Sequence, residues 1–196
     1  VSELRGGVSY LLEANGVACY SGMGMVTAPG RVAVTGKDGI HELAAARILL
    51  CTGAVPAKPP IPGAERPGVI TSDELLDGVP RDIRRLVVIG GGVIGVEIAS
   101  VYGNLGCEVT IIEAADRLLP MMDREISQNL SMILKKRGIG VITGSTVREI
   151  TSCEAGLSVA FEGKKGAAAV TGDTVLLAIG RKPNIAGVLG ECLTLE

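Results

Sequence analysis

A glycine-rich turn between a buried strand and a helix constrains this chain more than any other feature. Residues 86–89 read Leu-Val-Val-Ile, an apolar run typical of a buried strand. Gly90, Gly92 and Gly95 follow in G-x-G-x-x-G spacing, and a helical apolar pattern begins at once. In such a unit the three glycines allow a tight turn, a close phosphate approach, and close packing of helix on strand. The helix N-terminus adds unpaired N–H groups and a partial positive charge, so the turn is predicted to bind an anion.

A carboxylate at the end of the next strand extends the prediction from an anion site to a dinucleotide-binding site. Residues 107–112 predict that strand, and it ends in Glu113, which lies 18 residues after Gly95. A carboxylate there accepts hydrogen bonds from the adenosine ribose hydroxyls. Glu113 and the nearby Asp116 would repel the 2′-phosphate of NADP, which favours NAD as the coenzyme. Arg117 is also close, and its positive charge leaves NADP as an alternative. The alternative is a strand, turn and helix without a ligand, because a chain with 28 glycines produces chance matches.

The composition is that of a globular protein with an aliphatic core. Of the 196 residues, 47 % are hydrophobic but only 2 % are aromatic, as buried parallel strands prefer. The net charge of −2 and the lack of a basic block argue against nucleic acid or a membrane surface as a partner. The chain has no apolar run near the roughly 18 residues of a membrane span.

The cysteines and the single histidine predict neither a disulfide framework nor a metal site. The cysteines form no C-x-x-C or C-x4-C pair, so we expect a reducing cytoplasm and mostly small buried side chains; they are Cys19, Cys51, Cys107, Cys153 and Cys192. His41 lies beside a glycine in a polar turn and is expected at the surface. A catalytic group based on histidine therefore has little to draw on in this chain.

The patterning along the chain predicts an α/β fold with two domains. Residues 1–62 predict part of one domain: a helix over 1–15, a meander over 17–35, and a closing strand over 46–51. The proline-rich stretch that follows indicates a connection between domains. Residues 63–182 predict a complete Rossmann-like domain with a parallel sheet, helices and a β-meander, and residues 183–196 return to the first domain.

An internal repeat supports two domains of one design. Residues 49–56 and 176–183 both have the form of a buried strand followed by Gly-x-x-Pro, and each comes after a series of short strands. The G-x-G-x-x-G turn occurs only in the second domain. The chain is therefore expected to be a piece of a longer protein.

Several motifs together resemble the flavoprotein disulfide reductases, also called pyridine nucleotide-disulfide oxidoreductases. The resemblance covers all 196 residues and is closest to the dihydrolipoamide dehydrogenase branch. The motifs that carry it are Gly90-Gly-Gly-Val-Ile-Gly-Val-Glu97, Glu113, Asp116-Arg-Leu-Leu-Pro-Met-Met-Asp123, Thr52-Gly53, Ile61-Pro-Gly63 and Ala178-Ile-Gly-Arg-Lys-Pro-Asn184.

The resemblance implies a set of cofactor-binding residues. The NAD diphosphate would lie on the turn, with Glu113 at the adenosine ribose and Glu97 close to where nicotinamide meets flavin. A buried carboxylate at Glu97 would need a partner. Val147 would line the adenine side, although it and Ala178 could equally be plain core. The full set for NAD is Gly90, Gly91, Gly92, Val93, Ile94, Gly95, Glu97, Glu113, Val147, Ala178, Ile179, Gly180 and Arg181, and that for FAD is Gly24, Thr52 and Gly53.

The resemblance also implies an activity, which this chain departs from in part. The family oxidises or reduces thiols through NAD(P), FAD and a C-x4-C redox disulfide, and the dihydrolipoamide branch works as a homodimer in 2-oxo-acid dehydrogenase complexes. The chain lacks the redox cysteine pair and the first glycine-rich turn, so it is expected to bind NAD without turnover. The alternatives are a piece of another disulfide or mercuric reductase, a non-catalytic NAD-binding module, and a structural domain.

Overall fold

The chain divides into two units, and the glycine-rich turn belongs to the second. The computed structural model describes residues 2–78, 82–164, 166–190 and 193–194. The first unit contains residues 1–53 and 183–196, and the second contains residues 54–182.

The first unit contains a helix and an antiparallel meander. Three consecutive strands pair in the order β1-β2-β3, and glycines in positive-φ turns connect them. The meander predicted over residues 17–35 is therefore confirmed only in part: it begins at residue 23, and its third strand lies beyond residue 35. The elements are α1 (Ser2–Ala14), β1 (Met23–Ala28), β2 (Arg31–Gly36) and β3 (Gly39–Ala44).

The predicted closing strand over residues 46–51 is wrong. This segment has no regular structure, and its apolar residue Leu49 is 86 % exposed. A parallel strand exists only where a neighbouring strand accepts its hydrogen bonds, and the described part of the first unit offers only the meander. The sequence repeat with residues 176–183 is therefore not a structural repeat.

A parallel five-stranded sheet forms the centre of the second unit, so the predicted α/β fold is confirmed. The strand order is β5-β12-β6-β7-β8, and all four neighbouring pairs are parallel. The strands β9, β10 and β11 form an antiparallel meander, and β4 pairs with β13. The elements are β4 (Ala54–Pro56), β5 (Val69–Thr71), α2 (Ser72–Leu76), β6 (Arg85–Ile89), α3 (Val93–Asn104), β7 (Glu108–Ile112), α4 (Arg124–Lys136), β8 (Gly140–Ile142), β9 (Ser145–Cys153), β10 (Gly156–Gly163), β11 (Gly166–Gly172), β12 (Thr174–Leu177) and β13 (Arg181–Pro183).

The two faces of the sheet are covered by different layers. Successive side chains of β6 alternate: Leu86 and Val88 pack in the cluster that includes the helices, whereas Val87 and Ile89 pack against the meander. Both faces are buried, so the strand reads as a continuous apolar run rather than as an alternating one. Burial of these two clusters stabilises the unit, by about 25 cal/mol per Å² of apolar surface removed from water.

The proline-rich stretch packs differently from the prediction. The first domain was expected to extend to residue 62, but residues 54–62 belong to the second unit. Ile61 is half-buried against the core cluster on the meander side, which explains why this stretch stays with the second unit.

The cysteines are more exposed than expected. Three cysteines are exposed, because Cys19 and Cys51 lie in irregular segments and Cys153 lies at a strand end. The fourth described cysteine, Cys107, is half-buried. Cys192 lies outside the described residues. Within the part of the chain that the structure describes, the helices are too short or too polar to cross a membrane, and no cluster of potential metal ligands occurs.

Candidate dinucleotide site

A cleft of about 560 Å³ lies at the carboxyl ends of the central parallel strands. From β6 the chain continues through α3 to β7 on one side, while β12 lies on the other side of β6. This is the point where the strand order reverses, and ligands of open α/β sheets bind in the crevice at such a point. The cleft is formed by the turn before α3, the end of β7, the start of β9 and the segment after β12.

The glycines of the turn have different roles. Gly90 has φ of 109° and lies against the backbone after β12, where a Cβ would come 2.7 Å from the Ala178 carbonyl carbon. Gly92 is the N-cap of α3 with an ordinary φ of −73°, and a Cβ there would meet nothing within 4 Å. Gly90 is therefore required for the turn itself, whereas Gly92 keeps the cleft open.

The Glu113 carboxylate is fixed by main-chain donors. The Gly91 N–H donates to its Oε2 at 2.5 Å, and the Ala115 N–H donates to its Oε1 at 2.7 Å. The side chain is half-buried and lines the cleft. Each carboxylate oxygen has further lone pairs, so the group can still accept hydrogen bonds from a ligand hydroxyl.

Arg181 lies on the opposite wall and is held by an ion pair. Its Nη1 donates to Asp73 Oδ1 at 2.7 Å, and its Nη2 contacts Asp73 Oδ2 and the Ala54 carbonyl. The hydrogen bond from Arg181 lowers the pKa of Asp73, and the same bond raises the pKa of the guanidinium. Asp73 is in the first turn of α2, so the pair fixes a cleft residue to a neighbouring element.

We predict that the D73N variant loses stability in a pH-dependent way. The pKa of Asp73 in the folded state is lowered from 3.8, so its stabilising contribution is complete above pH 3.8. That contribution disappears as the pH falls through the lowered pKa. Urea unfolding at neutral pH should therefore separate wild type from D73N, and the separation should vanish in acid. The control is D82N, because Asp82 pairs with Arg84 but is 80 % exposed; an equal effect of D82N would contradict the prediction.

The cleft brings together most of the residues predicted to bind NAD. Val147 and Ala178, for which a core role was the alternative, line the cleft and also pack against the core clusters. The predicted residues that line the cleft are Gly90, Gly92, Val93, Ile94, Glu113, Val147, Ala178, Ile179, Gly180 and Arg181.

Three predicted residues lie near the turn without lining the cleft. The Gly91 N–H is bonded to Glu113, so Gly91 positions that carboxylate. Gly95 packs α3 on β6, because a Cβ there would overlap the Gly90 carbonyl. The expectation of a buried carboxylate at Glu97 is wrong: the residue is exposed on α3, as are Val93 and Val101 one turn to either side of it.

The residues predicted to touch FAD lie in the first unit. Thr52 and Gly53 line a cavity of about 490 Å³ whose other walls are mostly aliphatic, whereas Gly24 does not line it. Gly24 is half-buried in β1 opposite Val34. Gly53 has φ of 75°, and its carbonyl accepts a hydrogen bond from the Asn184 N–H at 3.0 Å.

The sequence did not indicate several residues of the cleft. Ser145 and Thr146 follow β8 and could have been found from the rule that sites lie at the carboxyl ends of strands. Pro59 had no signal, because the stretch that contains it reads as a connection, and Ile61 was noted only as part of a motif of the resemblance. Further residues of this kind are Ile89, Ile112, Ala114 and Pro120.

The sequence is similar to proteins of known activity along its whole length. Residues 1–196 match the family described as pyridine nucleotide-disulphide oxidoreductase. A dihydrolipoyl dehydrogenase of Acholeplasma laidlawii is 36 % identical over 200 residues, which cover 100 % of this chain and 56 % of the relative. A dihydrolipoamide dehydrogenase of Chaetomium thermophilum is 39 % identical, over 100 % of this chain and 40 % of the relative.

Solved structures give a similar result. The HOCl-induced flavoprotein disulfide reductase RclA of Escherichia coli has a TM-score of 0.73 at 33 % identity. The match covers 92 % of this chain and 42 % of that one. LpdA of Mycobacterium tuberculosis has a TM-score of 0.80 at 28 % identity, over 95 % of this chain and 41 % of that one. The chain thus spans about half, or less, of the length of these proteins.

Proposed function

Because the chain belongs to the pyridine nucleotide-disulphide oxidoreductase family, we propose that its second unit binds NAD in the cleft at the carboxyl ends of β6 and β12. One observation carries the proposal: the N-terminus of α3 and the anchored carboxylate of Glu113 line the same cleft. The first suits a diphosphate, and the second suits a ribose diol.

The residues present fit this coenzyme. Gly92 leaves open the space that a Cβ would fill, so a diphosphate can approach the main-chain N–H groups of the first turn of α3. Glu113 then orients the adenosine ribose, and Val147 supports the adenine side. Ala178 to Arg181 line the cleft after β12, which lies on the other side of β6 from β7, and would orient the nicotinamide half.

The parent reaction that we propose is the oxidation of dihydrolipoyl dithiols by NAD. The bound FAD and NAD supply the electron and hydride chemistry, while the protein binds and orients them. Residues 1–53 contain no G-x-G-x-x-G turn and the chain contains no C-x4-C pair, so this chain offers only part of an FAD site and no redox disulfide. As partners of the whole protein we propose a second copy of the same subunit and the other components of a 2-oxo-acid dehydrogenase complex, by analogy with the dihydrolipoyl dehydrogenases to which it is similar.

A titration with NADH tests the proposal. The full 196-residue chain is expected to bind NADH, followed by nicotinamide fluorescence, and to show no turnover of lipoamide. The E113Q variant should bind NADH about tenfold more weakly, because a neutral amide accepts a weaker hydrogen bond than a carboxylate.

Two results would contradict the proposal. Absence of NADH binding by the wild-type chain at millimolar concentrations would favour a purely structural domain. Robust lipoamide turnover by this chain would show that the reaction does not need the C-x4-C cysteine pair, which this chain lacks. E162Q, which removes one carboxylate from the meander, is the control for a general effect of charge on binding.

A further inference from the structure

The two charged side chains of the cleft lie on opposite sides of β6. Of the described residues that line the cleft, only Glu113 and Arg181 carry a full charge. Glu113 follows β7, and Arg181 follows β12, which pairs with the other side of β6. With the adenosine ribose at Glu113 and the diphosphate at the N-terminus of α3, the nicotinamide half extends toward β12. A cation therefore lies on the side of the cleft that receives the nicotinamide ring.

The charge of Arg181 affects the two redox forms of the coenzyme differently. The oxidised form, NAD⁺, carries a positively charged pyridinium ring, whereas the dihydronicotinamide ring of NADH is neutral. The two forms share the adenosine, the diphosphate and both riboses. An unpaired guanidinium on this side of the cleft would therefore repel the ring of NAD⁺ and leave that of NADH unaffected.

The Asp73 carboxylate supplies the opposite charge. Arg181 Nη1 donates to Asp73 Oδ1 at 2.7 Å, and Nη2 lies 3.4 Å from Oδ2, so both ends of the planar guanidinium face one carboxylate. The same Nη2 also donates to the Ala54 carbonyl. The two side chains together contribute no net charge to this side of the cleft.

The position of Asp73 is fixed by the elements around it. The helix α2 begins after Thr71, whose hydroxyl accepts the Glu74 N–H, while the Glu74 carboxylate accepts the Thr71 N–H at 2.7 Å. Thr71 and Ile70 are buried in β5, and β5 pairs directly with β12. The strand that leads to Asp73 and the strand that leads to Arg181 are therefore neighbours in one sheet, which holds the two charges together.

We propose that Asp73 is a positioning residue that neutralises Arg181 and thereby lets the cleft bind the positively charged nicotinamide of NAD⁺. This inference rests on the proposed function, because it takes the nicotinamide half to lie on the side of β12. The dithiol oxidation proposed above begins with NAD⁺ and ends with NADH, so a cleft that repelled the pyridinium ring would disfavour its own substrate. Asp73 does not line the cleft itself and acts through Arg181.

The test compares the Kd values of NAD⁺, NADH and ADP-ribose for the full chain and its variants. NADH binding is followed by nicotinamide fluorescence, and the other two ligands by displacement of NADH. ADP-ribose lacks the nicotinamide ring and therefore reports on the rest of the site. D73N should bind NAD⁺ about three- to fivefold more weakly than wild type, while the Kd values of NADH and ADP-ribose change less than about 1.5-fold. The loss should shrink at high ionic strength, since the pair is partly exposed.

A double variant separates the charge of Arg181 from a structural effect of Asp73. In D73N/R181Q both charges are removed, so the ratio of the Kd values of NAD⁺ and NADH should return to that of wild type. A merely structural role of Asp73 would instead weaken all three ligands equally in D73N. A guanidinium released onto the diphosphate would strengthen all three. Either of these two results would overturn the inference.

E162Q is the matched control, because it also removes one negative charge from a partly exposed ion pair. Glu162 lies 2.9 Å from Arg148 on the meander, and its side chain is 56 % exposed, compared with 46 % for Asp73. An equal loss of NAD⁺ affinity in E162Q would overturn the inference, as would an unchanged NAD⁺ affinity in D73N that still binds NADH normally. A wild-type chain that binds none of the three ligands would overturn the proposed function itself, and this inference with it.

Discussion

Replacing Gly92 by valine is expected to abolish NADH binding while the fold stays intact. Gly92 lines the cleft, has a φ of −73° that any residue can adopt, and has nothing within 4 Å of its missing Cβ. A valine side chain would occupy the space through which the diphosphate approaches the first turn of α3. We expect at least about 100-fold weaker binding, or about 2.7 kcal/mol, in a fluorescence titration.

The stability of the same variant distinguishes a blocked site from a damaged one. Because the added carbons point into open space, the urea midpoint should stay close to that of wild type, and G92A should give an intermediate loss of binding. G24V is the control, since a Cβ at Gly24 in β1 also meets nothing within 4 Å. If G92V bound NADH as well as wild type, the diphosphate would lie elsewhere.

The sequence predicted those parts of the fold that local patterning determines. The strand, turn and helix around Gly90 were predicted to within a residue or two, because the apolar run, the glycines and the helical period lie within one short segment. Asp123 is the N-cap of α4, a position that aspartate favours, although its side chain makes no capping hydrogen bond. The strand over 46–51 failed because its apolar run is compatible with a strand but needs a partner that sequence alone does not reveal.

The residues of the site also divide into those that local sequence determines and those that tertiary packing determines. Glu113 could be predicted because it follows the motif at a spacing fixed by one helix and one strand. Pro59 could not, because it reaches the cleft from a segment whose position depends on how the proline-rich stretch packs. The exposure of Glu97 was missed for a related reason. A helical period gives the relative angle of a residue but does not tell which sides of the helix are covered.

The largest loss of stability is expected from Gly90→Ala. At φ of 109° an L-residue is strained by about 1–2 kcal/mol. The new Cβ would also lie 2.7 Å from the Ala178 carbonyl carbon and 3.1 Å from the Ile179 nitrogen, and relief of such overpacking costs about 1–3 kcal/mol. We expect a total of about 3 kcal/mol, measured by urea unfolding followed by far-UV circular dichroism.

Gly106→Ala separates the two contributions. Gly106 follows α3 with φ of 89°, but a Cβ there meets nothing within 4 Å, so this variant retains only the strain and should lose about 1 kcal/mol. Since the overlap in G90A involves backbone atoms of the segment after β12, relief must move the two central strands apart at their carboxyl ends. NADH affinity should therefore fall in G90A even where the protein is fully folded, and remain unchanged in G106A. Equal stability of the two variants would mean that β6 and β12 are not held together at this turn.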